Sequence, residues 1–188
     1  MFNPIRTVIL HYPIRFFLTI LVILAIYVYV FRSIKGQYRK REISKKTAII
    51  KVFLIYYVIM LLFLTVIGRR SWDYYRYNWE LGYSYREVLL DGNMNLASQI
   101  VANIAVFVPI GIMGKCLYEK NSCIKCILLG LCFSLSIEFL QLVLKRGYCE
   151  YDDIVSNLIG TVIGCLIIMI YKFLKKLVVK KLEGENVF

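Results

Sequence analysis

The stretch SLSIEFLQLVLKRGYCEYDDIVSNLIGTVIG, Ser134 to Gly164, joins two apolar runs through a short charged link. The first run spans Ile124 to Leu144 and the second Ile154 to Leu174. Each is long enough to cross a hydrocarbon core about 30 Å thick at about 1.5 Å of helical rise per residue. Backbone amides in lipid must be satisfied within their own segment, so both runs are expected to be helices and not strands. Working outward, the same pattern recurs at Ile14 to Phe31, Ala48 to Ile67 and Leu96 to Leu117. The reading is an all-α, polytopic transmembrane bundle of about five helices.

Composition agrees with that reading. Of 188 residues, 60% are hydrophobic and only 19% charged, and the mean hydropathy is +0.66, far from the balance of a soluble domain. The net charge of +12 does not indicate nucleic acid, because the Lys and Arg lie between apolar runs and form no single basic face. Membrane lipids are the expected partners, with Lys172, Lys175, Lys176 and Lys180 on one face of the tail suited to an anionic leaflet. The run at Ile14 to Phe31 reads as a retained helix and not a signal peptide. Tyr27, Tyr29 and Phe31 stand where a small-residue cleavage site is required.

Sixteen Lys and Arg fall in the connections 32–51, 115–125 and 172–181, and eight on the opposite side. That bias places the protein in the cell membrane with its N-terminus outside and its C-terminus in the cytoplasm. Residues 1–47 then form an N-terminal transmembrane helix and basic cytoplasmic loop, 48–175 a transmembrane domain, and 176–188 a basic cytoplasmic tail. The connection from Gly68 to Asn95 faces outward. Its Trp72, Tyr74, Tyr75, Tyr77, Trp79, Tyr83 and Tyr85 suit the headgroup zone, so it is expected to carry an interfacial helix. The same rings could serve as a platform for a glycan or a lipid-linked ligand.

Six cysteines raise the question of a metal or redox site. Cys132 and Cys165 fall within apolar runs and read as small buried hydrophobes. Cys123 and Cys126 form a lone CxxC without a second pair, and the only His is His11. Neither a metal nor a cofactor is expected. Pro109, Gly111, Gly160 and Gly164 are read as structural: the proline as a helix kink, the glycines as points of close helix approach.

Polar residues on three helices reach a similar outer depth: Asn103, then Glu138 and Gln141, then Asn157. Glu138 is the most informative, since an acid at the centre of a transmembrane helix costs about 2.5 to 3.5 kcal/mol on insertion scales. Ser134, Glu138 and Gln141 fall at i, i+4 and i+7 and so share one stripe, which the face carrying Asn157, Gly160 and Gly164 can approach. Lys145, Arg146, Glu150, Asp152 and Asp153 crowd the mouth from the link. The bland account is that these groups only hold helices together. The sharper account is an outward pocket of Asn103, Glu138, Gln141, Arg146, Asp152, Asp153 and Asn157, with Arg146 as counter-charge to Glu138. No Ser/His/Asp set, Cys/His pair or phosphate loop is present, so no catalytic residue is assigned, although a buried carboxylate could act as acid or base.

The sequence NIAVFVPIGIMG from Asn103, followed by the stretch from Ser134, resembles the VanZ family of membrane proteins. The resemblance rests on Asn103, Phe107, Pro109 and Gly111, then Ser134, Glu138 and Gln141, then Arg146, Asp152, Asp153, Asn157, Gly160 and Gly164, with TVIGR ending at Arg69 before them. It covers roughly Thr65 to Cys165, inside the 48–175 domain. It implies a role at the bacterial cell envelope, where the founding member is associated with resistance to the lipoglycopeptide teicoplanin. A lipid-linked cell-wall precursor or a lipoglycopeptide is the expected partner class. An intramembrane enzyme acting on such a precursor, and a structural or partner-binding bundle, remain open alternatives.

Overall fold

The computed structural model describes residues 21, 24–118 and 123–185, with side chains described to 182. The protein is an all-α helical bundle. The chain divides into two compact units, Met1–Ile67 and Gly68–Phe188. Four helices among the described residues are long and apolar enough to cross a membrane: Lys45–Ile67, Met94–Leu117, Cys123–Val143 and Tyr151–Leu182. Half of the expected first span, Ile14 to Phe31, lies outside the described residues. Its C-terminal part belongs to a helix, α1, over 24–39.

In the first unit α1 turns back into α2, Lys45–Leu62. Ser44 caps α2 by accepting a hydrogen bond from the Thr47 amide at 3.1 Å, satisfying one of the four free N-terminal donors of a helix. Lys51 Nζ donates to Gln37 Oε1 at 3.0 Å and ties the two helices together. The last turn of α2 widens into a π-helix, Phe63–Ile67.

The second unit is built on α4 (Met94–Leu117), α5 (Cys123–Val143) and α6 (Tyr151–Glu185), preceded by the strand β1 (Tyr77–Asn78) and the short helix α3 (Tyr83–Asp91). A short helix does lie between Gly68 and Asn95, and it is α3. A second strand, β2 (Cys149–Glu150), pairs in parallel with β1, Tyr77 opposite Cys149 and Asn78 opposite Glu150. Small residues decide the packing. A Cβ on Gly164 would stand 2.9 Å from Gly111 Cα and press on the Val108 carbonyl, and one on Gly160 would meet the Ile104 carbonyl. The Gly160/Gly164 face therefore packs on α4, whereas the spacing alone had suggested the α5 stripe. Asn157 and Thr161 are what α6 turns toward α5, with Thr161 lying over Gly130.

Pro109 sits inside α4, which continues as one helix from Met94 to Leu117. Proline cannot donate its amide, so the carbonyl one turn earlier loses its helical partner. On the other side of the proline, the thiol of Cys126 donates to Gly111 O at 3.3 Å, and that of Cys165 reaches the same oxygen at 3.7 Å. Cys165 is buried as expected, but Cys132 is exposed on α5 because it lies off the stripe that faces α6.

Candidate functional site

At the Tyr151 end of α6, polar side chains replace the apolar core. Glu138, Asp153 and Glu150 are only 3%, 4% and 5% exposed, and Gln141, Asp152 and Asn157 are buried with them. The backbone explains the convergence. Glu138 and Gln141 close the buried stripe of α5, a turn at Lys145 (φ 52) and Gly147 (φ 84) reverses the chain, and β2 delivers Glu150 beside the first turn of α6. Positive φ at Gly147 suits a residue without a Cβ.

Three carboxylates share this space. The Glu150 amide donates to Glu138 Oε2 at 3.1 Å. Gln99 Nε2 donates to Glu150 Oε2 at 2.9 Å and to Asp153 Oδ1 at 3.2 Å, so one side-chain amide from α4 bridges two acids. Below them Asn157 Nδ2 donates to Ser134 Oγ at 2.9 Å, leaving Asn157 Oδ1 buried without a hydrogen-bond partner. Asn103 is half-buried and lies near Asp153. Its amide nitrogen is enclosed and makes no well-formed hydrogen bond. The structure thus brings Asn103, Glu138, Gln141, Asp153 and Asn157 into one neighbourhood.

Two members of the expected pocket are engaged elsewhere. Asp152 accepts from the backbone amides of Gly82 at 2.6 Å and Ser84 at 2.7 Å, capping α3 from α6 because Gly82 has no side chain to do so. Arg146 donates through Nη1 to the Arg69 carbonyl at 3.3 Å and forms an isolated bridge with Ser71. Arg69 is a cation whose field reaches Glu138, Glu150 and Asp153, a role the sequence reading gave to Arg146 alone. Its stem lies across Gly147, where a Cβ would come within 2.8 Å of Arg69 Cδ.

Burial, reinforced by the negative charge of Asp153, lifts the Glu150 carboxyl to about 7, while the Gln99 hydrogen bond and Arg69 pull the other way. The adjacent Cys149 thiol is pushed up to about 12, first by burial and then by Glu138. Cys149 is only 3% exposed and is a poor reporter of sidedness, contrary to what its place in a loop suggests. Among the described residues, no group of three or more His, Cys, Asp or Glu is disposed to hold a metal ion. What the cluster offers is hydrogen-bond acceptance, negative charge and a carboxyl that exchanges a proton near neutrality.

Sequence reasoning set Glu150 at the mouth without counting it in the pocket, and passed over Gln99, the charge that Arg69 brings to the acids, and the contact between Tyr85 and Ser156, whose hydroxyls meet at 2.7 Å. Gln99 was within reach, since it stands one turn before Asn103 on the same face of α4. The other contacts depend on the path of the 68–93 connection, which carries no periodic signal.

That connection lies along the link between α5 and α6. The Trp72 amide donates to Lys145 O at 2.9 Å and the Cys149 amide to Arg76 O at 3.1 Å. Arg76 sits 4.3 Å from the Trp72 ring centroid and 4.8 Å from that of Tyr148. Tyr77 stacks on Trp79 at 5.4 Å, and Trp79 meets Tyr151 at 4.9 Å.

No curated protein and no solved structure matches the chain. A family model described as VanZ/LLP1 does, over residues 16–173. With most of its length inside that match, and with apolar helices able to span a bilayer, this chain is a membrane protein that belongs to the VanZ/LLP1 family.

Proposed function

We propose that this VanZ/LLP1 protein acts at the bacterial cell envelope, engaging a lipid-linked or lipophilic surface molecule through the polar cluster, and thereby contributes to tolerance of teicoplanin. The observation that carries this reading is the burial of Glu138, Glu150 and Asp153 together, bridged by Gln99 and faced by Arg69. Interhelical hydrogen bonds in lipid average about 0.6 kcal/mol, whereas an acid within a transmembrane helix, as Glu138 is, costs several times that, so helix adhesion alone is a weak reason to keep it. The excess of carboxylates suits an amine or other cationic group of the ligand. Arg69 and Arg146 suit its phosphate or carboxylate, which guanidinium binds through paired hydrogen bonds. The Tyr77, Trp79 and Tyr151 rings supply a surface for its apolar or sugar portion.

The test is teicoplanin and vancomycin susceptibility of a sensitive Gram-positive host expressing wild type, Glu138→Gln or Asp153→Asn, with membrane levels matched by immunoblot. Wild type should raise teicoplanin tolerance and both variants should lose it. Unchanged tolerance in all three sinks the reading.

A second reading, an intramembrane enzyme acting on a lipid or peptidoglycan precursor, is favoured by the Glu150 carboxyl at about 7, which suits a general acid or base at neutral pH. It requires a covalently altered envelope product, visible by mass spectrometry, that disappears in Glu150→Gln.

A further inference from the structure

The carboxylates just described are sealed. A ligand cannot reach groups that are 3–5% exposed unless something above them moves. The segment running from β1 through α3 lies against the link and the first turn of α6, the two places from which Glu150 and Asp153 project. Its attachment is mostly polar, with Trp79 against Tyr151 and Arg76 over Tyr148 as the ring contacts. Gly82 and Ser84 amides donate to Asp152, Tyr85 OH meets Ser156 Oγ, and two residues of β1 pair with β2. Apolar anchoring is slight: Ser84 is the only buried residue of α3, while Tyr77, Trp79, Leu81, Leu89 and Leu90 are all exposed. Segments held by hydrogen bonds with little buried apolar surface open at low free-energy cost.

Both ends of α3 are glycines in the left-handed region, Gly82 at φ 83 and Gly92 at φ 64, with nothing within 4 Å of a Cβ built on either. Gly92 joins α3 to the fixed helix α4, so it is placed to act as a hinge. The preceding residues are fastened separately, Ser71 to Arg146 and Trp72 to Lys145.

We propose that residues 76–91 form a lid over the Glu138, Glu150 and Asp153 cluster, hinged at Gly92 and latched to α6 by Asp152 and by the Tyr85–Ser156 hydrogen bond. Only the identity of what enters rests on the envelope-ligand reading above. Asp152, taken from sequence as a ligand-binding group, is in this view a positioning residue that sets how often the site opens.

Cys149 supplies the readout. It is paired edge to edge with Tyr77 of β1, its amide bonded to Arg76 O, and its enclosed thiol, beside Glu138, is protonated at ordinary pH. Lifting the lid exposes it and returns its acidity toward that of a free thiol, so alkylation accelerates with opening. Cys126, buried beside Gly111 between α4 and α5, is the internal control. Purified full-length protein in lipid nanodiscs would be treated with N-ethylmaleimide, and the labelling of each cysteine followed by peptide mass spectrometry.

Asp152→Asn should raise the Cys149 rate by an order of magnitude and Tyr85→Phe by a few-fold, with Cys126 unchanged in both. Equal Cys149 rates in wild type and both variants overturn the lid. So does a parallel rise at Cys126, which reports general loosening. If Asp152→Asn fails to fold, Tyr85→Phe decides alone. Because no drug or ligand enters this assay, faster Cys149 labelling combined with unaltered teicoplanin susceptibility would retain the lid and reject the envelope-ligand reading.

Discussion

At the scale of single residues, Gly147 and Glu150 carry the sharpest consequences. Gly147 combines φ 84 with an arginine stem 2.8 Å from any added Cβ, so Gly147→Ala meets backbone strain and a steric conflict together. It should lose roughly 1–3 kcal/mol of stability, read as a lower melting temperature in detergent, while Gly36→Ala, in open space in the last turn of α1, should be neutral or slightly stabilising. Glu150 binds its proton more tightly folded, at about 7, than the ordinary 4.5. Between those values the native state holds more protons than the unfolded one, so this group's contribution to stability is fullest at low pH and is lost as pH rises from about 4.5 to about 7. The melting temperature of Glu150→Gln should lack that part of the decline, and identical pH profiles for variant and wild type would refute the assignment. Glu138, Gln141 and Asn157 were legible in the sequence because helical spacing fixes which side chains share a stripe, and Asp153 because the charged link must return the chain beside them. Arg69 was not, because a counter-charge supplied from an aperiodic connection leaves no pattern to read.

At the scale of elements, the apolar runs announce the helices directly, since lipid forces each to satisfy its own amides. Their partners are harder to foresee. A GxxxG pattern states that a close approach occurs and not with which neighbour. Here Gly160 and Gly164 admit α4 while Asn157 and Thr161 face α5, so a single helix divides its two contacts between adjacent stripes. Gly164→Ala should therefore separate α6 from α4, because the atoms it meets are Val108 O, Ile112 N and Gly111 Cα, backbone that cannot rotate aside. The expected result is a loss of more than about 2 kcal/mol, within the range for overpacked interiors, together with reduced membrane abundance. Thr161→Ser, which keeps the hydroxyl that donates to Asn157 O, should be tolerated far better.

At the scale of the whole molecule, the charge bias supports an outward N-terminus, and we expect the 68–93 connection outside and the end of α6 inside. Tyr74, well exposed, offers a better reporter than Cys149. Tyr74→Cys should react with an impermeant maleimide in intact cells, and Lys180→Cys only after permeabilisation; the reverse pattern would invert the topology. Four of the five apolar lengths read from the sequence correspond to long helices among the described residues, and the tail lysines read as sharing one helical face lie on the continuation of the last of them. The 35 residues of α6 make a rod about 52 Å long, against a hydrocarbon core of about 30 Å. If it crosses upright, a stalk of about 20 Å stands clear of the bilayer. Lys172 then sits at the headgroups and Lys180 about 12 Å farther along the axis, beyond the ~8 Å over which surface potential decays at physiological salt. The lysines are thus a graded series and not one uniform anchor: the nearest grip the lipid, while the farthest remain available to whatever approaches from the water. Anything fused after Leu182 would be carried on a rigid mast, held away from the surface and turning with α6.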